Sequence, residues 1–307
     1  MHFKKLEFND IPKVADTLYQ YAPNTANDYT VTGLFLWRDL LNAYVAYEEE
    51  GIYIYQVVDG WHLFYPPLCG DVAAGIRKIT DYCTAHALPY GFYPLTEENM
   101  DWIVKAGLPF TVEESEDYND YLYLKQDLMQ FRGRRYHTQK NHLNKFNQTY
   151  EDYTFSRITD ANIGEVSAFF KAYTESKMQG DISAVEREEL TKIPEMLSAM
   201  QLYRLTGYCL SIDGKVQAAE LGEIAGNVYY SHVEKANREY RGIYTKLVHL
   251  IVNDLPESVG LINREEDLGD MGLRQSKRRY RPCGYIEKKM VFVQSEAAAP
   301  GGKHELF

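Results

Sequence analysis

The chain has 307 residues, 45% of them hydrophobic and 14% aromatic, with 44 acidic against 33 basic side chains for a formal charge of -11. This length holds one large domain or two of ordinary size. The acidic balance excludes a general nucleic-acid coat but leaves room for a local basic site.

No apolar run approaches the roughly 18 residues of a membrane span, and the MHFKKLEF start lacks the apolar stretch of a leader. Cys69, Cys83, Cys209 and Cys283 form no CxxC pair, and the histidines show no ligand spacing. A cytoplasmic protein with reduced thiols, no transmembrane segment and no bound metal is expected.

Near the start, LEFNDIPKVADTLYQY offers Asp10 as a cap and Pro12 in the first turn. Ile11, Val14 and Leu18 then recur at helical spacing. YVAYEEEGIYIYQVVDGWHLFYPP reads as strands turning at EEEG and VDG, and DVAAGIRKITDYCTAHA as the next helix.

Charge is partitioned along the chain. The first 126 residues hold 19 acidic and 8 basic side chains, the remainder 25 of each, so the cations concentrate late. FRGRRYHTQKNHLNKFNQTY carries five Lys/Arg and no acid from Arg132 to Lys145. A linker helix over about 131–147 with a basic flank is expected, either solvated or in contact with a phosphate-rich ligand.

FSRITDANIGEVSAFFKAY repeats the opening plan, with Asp160 as cap and Ile163, Val166, Phe169, Phe170 and Tyr173 on an apolar face. Strands follow with turns at Asp213-Gly214 and Ala225-Gly226-Asn227. YRGIYTKLVHLIVNDL then reads as a helix and GLIN as a returning strand. Each half is thus helix, antiparallel strands, helix, strand. The reading is two homologous α+β domains, 1–150 and 151–294, with one continuous mixed sheet as the alternative. SEAAAPGGKHELF at 295–307 reads as a flexible extension.

Three places carry candidate chemistry. A strand leads through Arg241-Gly242 into a helix, whose free N–H groups suit a pyrophosphate; alternatively the loop simply needs its glycine. Glu220 and Glu223 are general-base candidates that a regular strand points to opposite faces, the plainer role being ion pairing with Arg238, Arg241 or Arg264. In NREEDLGDMGLRQSKRRYRP, a helix starting near Asp270 lines up Arg274, Lys277, Arg278 and Arg281. Such a row suits an anion, or Glu265 and Asp267, lying opposite.

In that last stretch Asn263, Glu265, Asp267, Leu268, Gly269, Gly272, Leu273, Arg274, Lys277, Tyr280 and Pro282 fit a pattern. It resembles N-x-E-x-D-L-G-x-x-G-L-R-x-x-K-x-x-Y-x-P of the soluble C-terminal domain of phosphatidylglycerol lysyltransferases and their free-standing relatives. That family is similar to the Fem-type aminoacyltransferases. The resemblance implies tandem GCN5-related N-acyltransferase (GNAT)-like domains.

It further implies an acyl or aminoacyl transferase whose donor is aminoacyl-tRNA, held by its acceptor end, or acyl-CoA. Arg241, Gly242, Arg274, Lys277 and Arg278 would hold the donor, and Glu220 or Glu223 would assist a small-molecule or peptide-like acceptor. A binding module that keeps the fold and an anion pocket without catalysis is the alternative from another class.

Overall fold

The computed structural model describes residues 1–294; the expected extension at 295–307 lies outside them. Chain contacts divide the protein into two units, one of residues 1–119 with the segment returning from Ile286, the other Asp120–Tyr285.

The first unit begins with β1 (Lys4–Lys5), α1 (Ile11–Tyr21) and α2 (Val31–Leu36). Ile11, Val14 and Leu18 are buried along α1 as their spacing requires. Asp10 does not cap α1 with its side chain; it accepts from Lys4 Nζ (2.7 Å), Tyr47 Oη (2.9 Å) and the Glu7 amide (3.0 Å). β2 (Tyr44–Glu48), β3 (Gly51–Val58) and β4 (Trp61–Phe64) follow, the last two joined through Asp59-Gly60, both at positive φ. That geometry matches the right-handed twist of a two-residue hairpin.

β5 (Leu68–Cys69), α3 (Val72–Ala85), β6 (Tyr90–Leu95), α4 (Met100–Lys105) and β7 (Phe110–Glu114) complete the outgoing chain. The sheet order is β1-β2-β3-β4-β6, then a late strand, then β7, with β5 beside β3. Tyr53, Phe64, Ile76, Ile79 and Phe92 form much of its core.

The second unit runs β8 (Asp120–Leu124), α5 (Lys125–Gln130), α6 (His137–Thr149), β9 (Tyr153–Arg157), α7 (Ile163–Met178) and α8 (Ala184–Ser198). Then come β10 (Leu205–Ile212), β11 (Lys215–Ala225), β12 (Val228–Ala236), α9 (Ile243–Asp254), β13 (Leu261–Asn263), α10 (Met271–Arg279) and β14 (Gly284–Ile286). The sheet order is β14-β8-β13-β12-β11-β10-β9. β12 and β13 are parallel because α9 crosses between them. The hairpin turns fall at Asp213-Gly214 and Gly226, all at positive φ. Phe146, Tyr208, Leu210, Tyr229, Leu247 and Ile251 share one core.

Two boundaries differ from the sequence expectation. The division falls at 119/120 rather than near 150, because β8 pairs with β13 and α6 buries Phe146 and Gln139 in the second unit. β15 (Lys289–Val293) then returns to the first sheet between β6 and β7. Hence α6 belongs to the second unit, packed along Gln139 and Phe146 with Lys140 and Lys145 exposed. α7 starts after Asn162, not Asp160: the Asn162 side chain accepts the Thr159 amide at 2.8 Å and leaves Asp160 in the turn.

Candidate functional site

The site develops from a divergence of strands. Pairing of β12 with β13 covers Val228↔Leu261, Tyr229↔Ile262 and Tyr230↔Asn263 and then stops, while β12 runs on to Ala236. Past Asn263 the chain follows β8 instead, with Arg264 N donating to Tyr121 O and Tyr121 N to Glu265 O. Crevices at the carboxyl ends of neighbouring parallel strands are where open α/β sheets take ligands.

Side chains span this opening. On β12 the register against β11 slips between Leu221 and Gly222, so that Leu221 faces Val233, Gly222 faces Ser231, and His232 is the extra residue. Such a bulge re-aims a side chain. His232 Nδ1 lies 2.7 Å from Glu265 Oε1, and its Nε2 lies 3.4 Å from Glu223 Oε2. The first is a short charge-assisted bond; the second is an ion-pair distance, too long for a strong hydrogen bond. Burial alone would lower the imidazole pKa, but the two carboxylates lift it to about 9. Burial raises Glu265, and His232 opposes that rise.

On β11 the alternation holds, so Glu220 and Glu223 serve different surroundings. Glu220 sits across from Tyr208 on one neighbour and Glu234 on the other. Arg264 donates to Glu234 at 2.6 Å and lies 4.8 Å from the Tyr280 ring centroid. Burial and then the Glu234 charge push the Glu220 carboxyl up to about 8, against the pull of Arg264. Gly222 has a packing reason: a Cβ there would meet Tyr229 Oη at 2.2 Å. Both candidate bases are buried, at 2% and 0% exposure, whereas the Glu265 side chain is 13% exposed.

The stretch 263–282 builds the frame. Asn263 Oδ1 accepts the Glu265 amide at 2.8 Å, and its amide group donates to Asp120 at 2.8 Å. Asp267 receives Arg274 Nε (2.8 Å) and Nη2 (2.6 Å), Tyr121 Oη (2.5 Å) and the Gly269 amide (3.0 Å). Against the cost of burial, Arg274 and Tyr121 hold the Asp267 carboxyl below its ordinary range. Asp270 caps α10 through the Gly272 and Leu273 amides. Lys277 is buried and donates to the carbonyls of Arg264 (2.6 Å), Glu265 (3.2 Å) and Glu266. Tyr280 Oη meets Thr245 Oγ1 at 3.2 Å.

The residues expected to hold a donor therefore separate. Arg274 and Lys277 spend these hydrogen bonds inside the protein, while Arg278 is exposed. Arg241 and Gly242 stand at the start of α9, where Arg241 is exposed and its amide donates to Tyr150 Oη at 3.2 Å. Gly242 has φ 89°, and a Cβ there would lie 2.4 Å from the His142 carbonyl oxygen. Close approach of α6 thus accounts for the glycine by itself.

Exposed Arg132, Arg134, Arg135 and Lys140 on and before α6 adjoin exposed Arg278, Arg279 and Arg281. Gln139 Nε2 donates to Arg279 O at 2.7 Å and Arg281 Nε to Arg135 O at 3.3 Å, which joins the two segments. Asp127 pairs with Arg135 at 2.9 Å.

The sequence reading missed His232, Glu234 and Tyr121. The alternation in SHVEK could have marked Glu234 as a partner for Glu220, but the bulge that turns His232 is a tertiary feature. A depression of about 230 Å³ lined by Asp152, Tyr153, Thr154, Ser211, Asp213 and Gly214 includes none of these groups. Among the described residues, no cluster of three or more His, Cys, Asp or Glu is arranged to hold a metal, and no helix is long and apolar enough to cross a membrane.

Comparison with solved structures gives a match to a conserved protein of unknown function from Bacteroides thetaiotaomicron, 26% identical, covering 95% of this chain and 99% of that one with a TM-score of 0.82. L-PGS from Bacillus licheniformis is 11% identical, covering 97% and 95%, with a TM-score of 0.63. FemX is 10% identical, covering 96% and 98%, with a TM-score of 0.59. These likenesses bear on fold alone, and the α+β class with two mixed sheets stands.

An uncharacterised protein of Mycoplasmoides gallisepticum is 21% identical over 208 residues, or 65% of this chain; the chain spans 63% of that relative's length. The family model described as phosphatidylglycerol lysyltransferase, C-terminal, matches residues 19–292. With almost the whole described chain inside that match, the protein belongs to the phosphatidylglycerol lysyltransferase C-terminal family.

Proposed function

We propose that the chain transfers an aminoacyl group from a charged tRNA to an amine or hydroxyl acceptor. The observation that carries this reading is the Glu223–His232–Glu265 array, whose partly exposed end opens at the strand divergence. Burial-raised Glu265 is suited to take a proton, and the His232 imidazolium bonded to it at 2.7 Å orients the carboxylate before that transfer. Glu223 acts from behind, through His232. Glu220 faces other partners, and its assistance is confined to keeping the strand pair neutral.

In the step, the acceptor nitrogen or oxygen attacks the carbonyl carbon of the ester that joins the aminoacyl group to the terminal ribose. The new C–N or C–O bond forms as Glu265 takes the acceptor proton. The ester C–O bond then breaks, and that proton passes to the leaving ribose oxygen. Atoms and charge balance without a further reactant. The exposed cations 132, 134, 135, 140, 278, 279 and 281 would meet the tRNA phosphates. The acceptor in this proposal is a small-molecule or peptide-like amine or alcohol.

A second reading, an acyl-CoA donor, draws on exposed Arg241 at the start of α9. The hydrogen bond from the Arg241 N–H to Tyr150 Oη and the His142 carbonyl against Gly242 weigh against it. The test is a donor screen with mixed charged tRNAs and a set of acyl-CoAs over an acceptor panel. Transfer from tRNA supports the first reading and transfer from coenzyme A the second. Failure of both donor classes leaves a binding module and overturns the assignment. A cytoplasmic site of action is part of the proposal, since charged tRNA is found there.

A further inference from the structure

We infer that Lys277 is a positioning residue whose ammonium gathers three consecutive backbone carbonyls and thereby presents the Glu265 side chain to His232. The inference rests on the reading of Glu265 as the working carboxylate, but its geometry stands apart from any transfer activity.

Three successive carbonyl oxygens, from Arg264, Glu265 and Glu266, converge on Lys277 Nζ. Carbonyl dipoles aimed at one point repel one another unless a cation sits there. An ammonium has three N–H donors, and here three carbonyls take them. Lys277 is 8% exposed, so its charge is held where removal from water is costly, and burial pulls its pKa below the ordinary lysine value. These acceptors account for that placement. An anion gripped by the same ammonium would have to displace them.

The convergence also explains the backbone. Glu265 adopts φ 56°, a left-handed region that is unfavourable for a residue with a Cβ. Asn263 Oδ1 fixes the Glu265 amide from one side, and Lys277 fixes the carbonyls from the other. Between these two holds the side chain of Glu265 reaches His232 Nδ1 at 2.7 Å. Arginine would not replace this lysine, because a planar fork cannot satisfy three carbonyls converging on a point.

The groups whose charge bears on the result are few. Glu223 on β11 and Glu265 face His232; Glu265, Glu266, Arg264 and Asp120 on β8 surround Lys277. Loss of the ammonium lets the loop relax and moves Glu265 off the imidazole, which removes one of the two carboxylates that keep His232 protonated.

The experiment is a histidine titration by NMR on the full chain labelled with nitrogen-15, unmodified and as K277A and K277R. The His232 midpoint is expected near 9 in the unmodified chain. It should fall by about one pH unit or more in K277A and in K277R. Propylammonium, which restores the deleted atoms, should return the K277A midpoint toward the original. A folded K277A with an unmoved midpoint overturns the inference.

Should K277A not fold, the unmodified chain labelled with nitrogen-15 and carbon-13 decides it. A slowly exchanging ammonium signal with couplings to the carbonyl carbons of 264–266 supports the clamp, and its absence refutes it. Neither readout uses transfer, so an inactive protein with the expected His232 shifts would end the functional reading and leave the positioning role standing.

Discussion

His232 and Glu265 meet at 2.7 Å across the point where β12 and β13 part, although their strands make no ladder bond there. The pair joins a bulged strand to a left-handed turn, and each of those irregularities is needed for the other to be useful.

Stability should follow this pair with pH. His232 is raised from 6.5 to about 9, so its contribution is full below 6.5 and is lost as pH climbs through 9. Glu220 acts in the same direction by another route. Its carboxyl keeps its proton to about 8 in the fold but loses it near 4.5 when unfolded, so stability falls between those values. Denaturant unfolding from pH 6 to 9.5 should show a decline that approaches about 1.4 kcal/mol per pH unit for each differing proton. In H232Q the part between 6.5 and 9 should flatten; an unchanged slope would contradict the pairing.

The Asp267–Arg274 pair should prove structural. R274A strands a carboxylate that is fully buried, and a loss of about 3–5 kcal/mol is expected by urea unfolding. D267N should be milder than D267A because it keeps a hydrogen-bond acceptor for Tyr121. Loss of anion binding by R274A at unchanged stability would instead place Arg274 in the ligand site.

Gly242→Ala tests why that glycine is there. Positive φ and the 2.4 Å approach to the His142 carbonyl both oppose a methyl group, and a cost of about 1–3 kcal/mol is expected. The measurement is thermal unfolding with and without coenzyme A. A stable variant that has lost coenzyme A protection would favour the acyl-CoA reading.

The basic surface should act through charge alone. R132A/R134A/K140A alters exposed side chains, so its unfolding should stay within about 0.5 kcal/mol of the unmodified chain. Its affinity for tRNA should drop, and the slope of log affinity against log salt should become shallower by roughly one for each phosphate contact removed. An unaltered slope would show that the phosphates lie elsewhere.

How far the sequence carried can be traced in particular residues. Turns at Asp59-Gly60, Asp213-Gly214 and Gly226 were legible because positive φ selects a short list of residues. The α1 face was legible from Ile11, Val14 and Leu18. The dense pattern at 263–282 led to the family that the match to residues 19–292 shows.

The return of Lys289–Val293 to the first sheet was not legible, since MVFV would suit any buried strand. Nor was the inward turn of Arg274 and Lys277. Their spacing defines a helix side, but only packing decides whether that side meets water, a ligand or three carbonyls. For the same reason the opposite faces of Glu220 and Glu223 could be read, while the bulge that brings His232 to Glu223 could not.

The most direct test of the account is a single-turnover transfer from charged tRNA to the best acceptor of the screen, comparing the unmodified chain with E265Q. The expected result is transfer of the amino acid to the acceptor, slower by about 100-fold or more in E265Q with tRNA affinity preserved. Equal rates for the two proteins would contradict the role given to Glu265, and no transfer from any charged tRNA would contradict the proposed function itself.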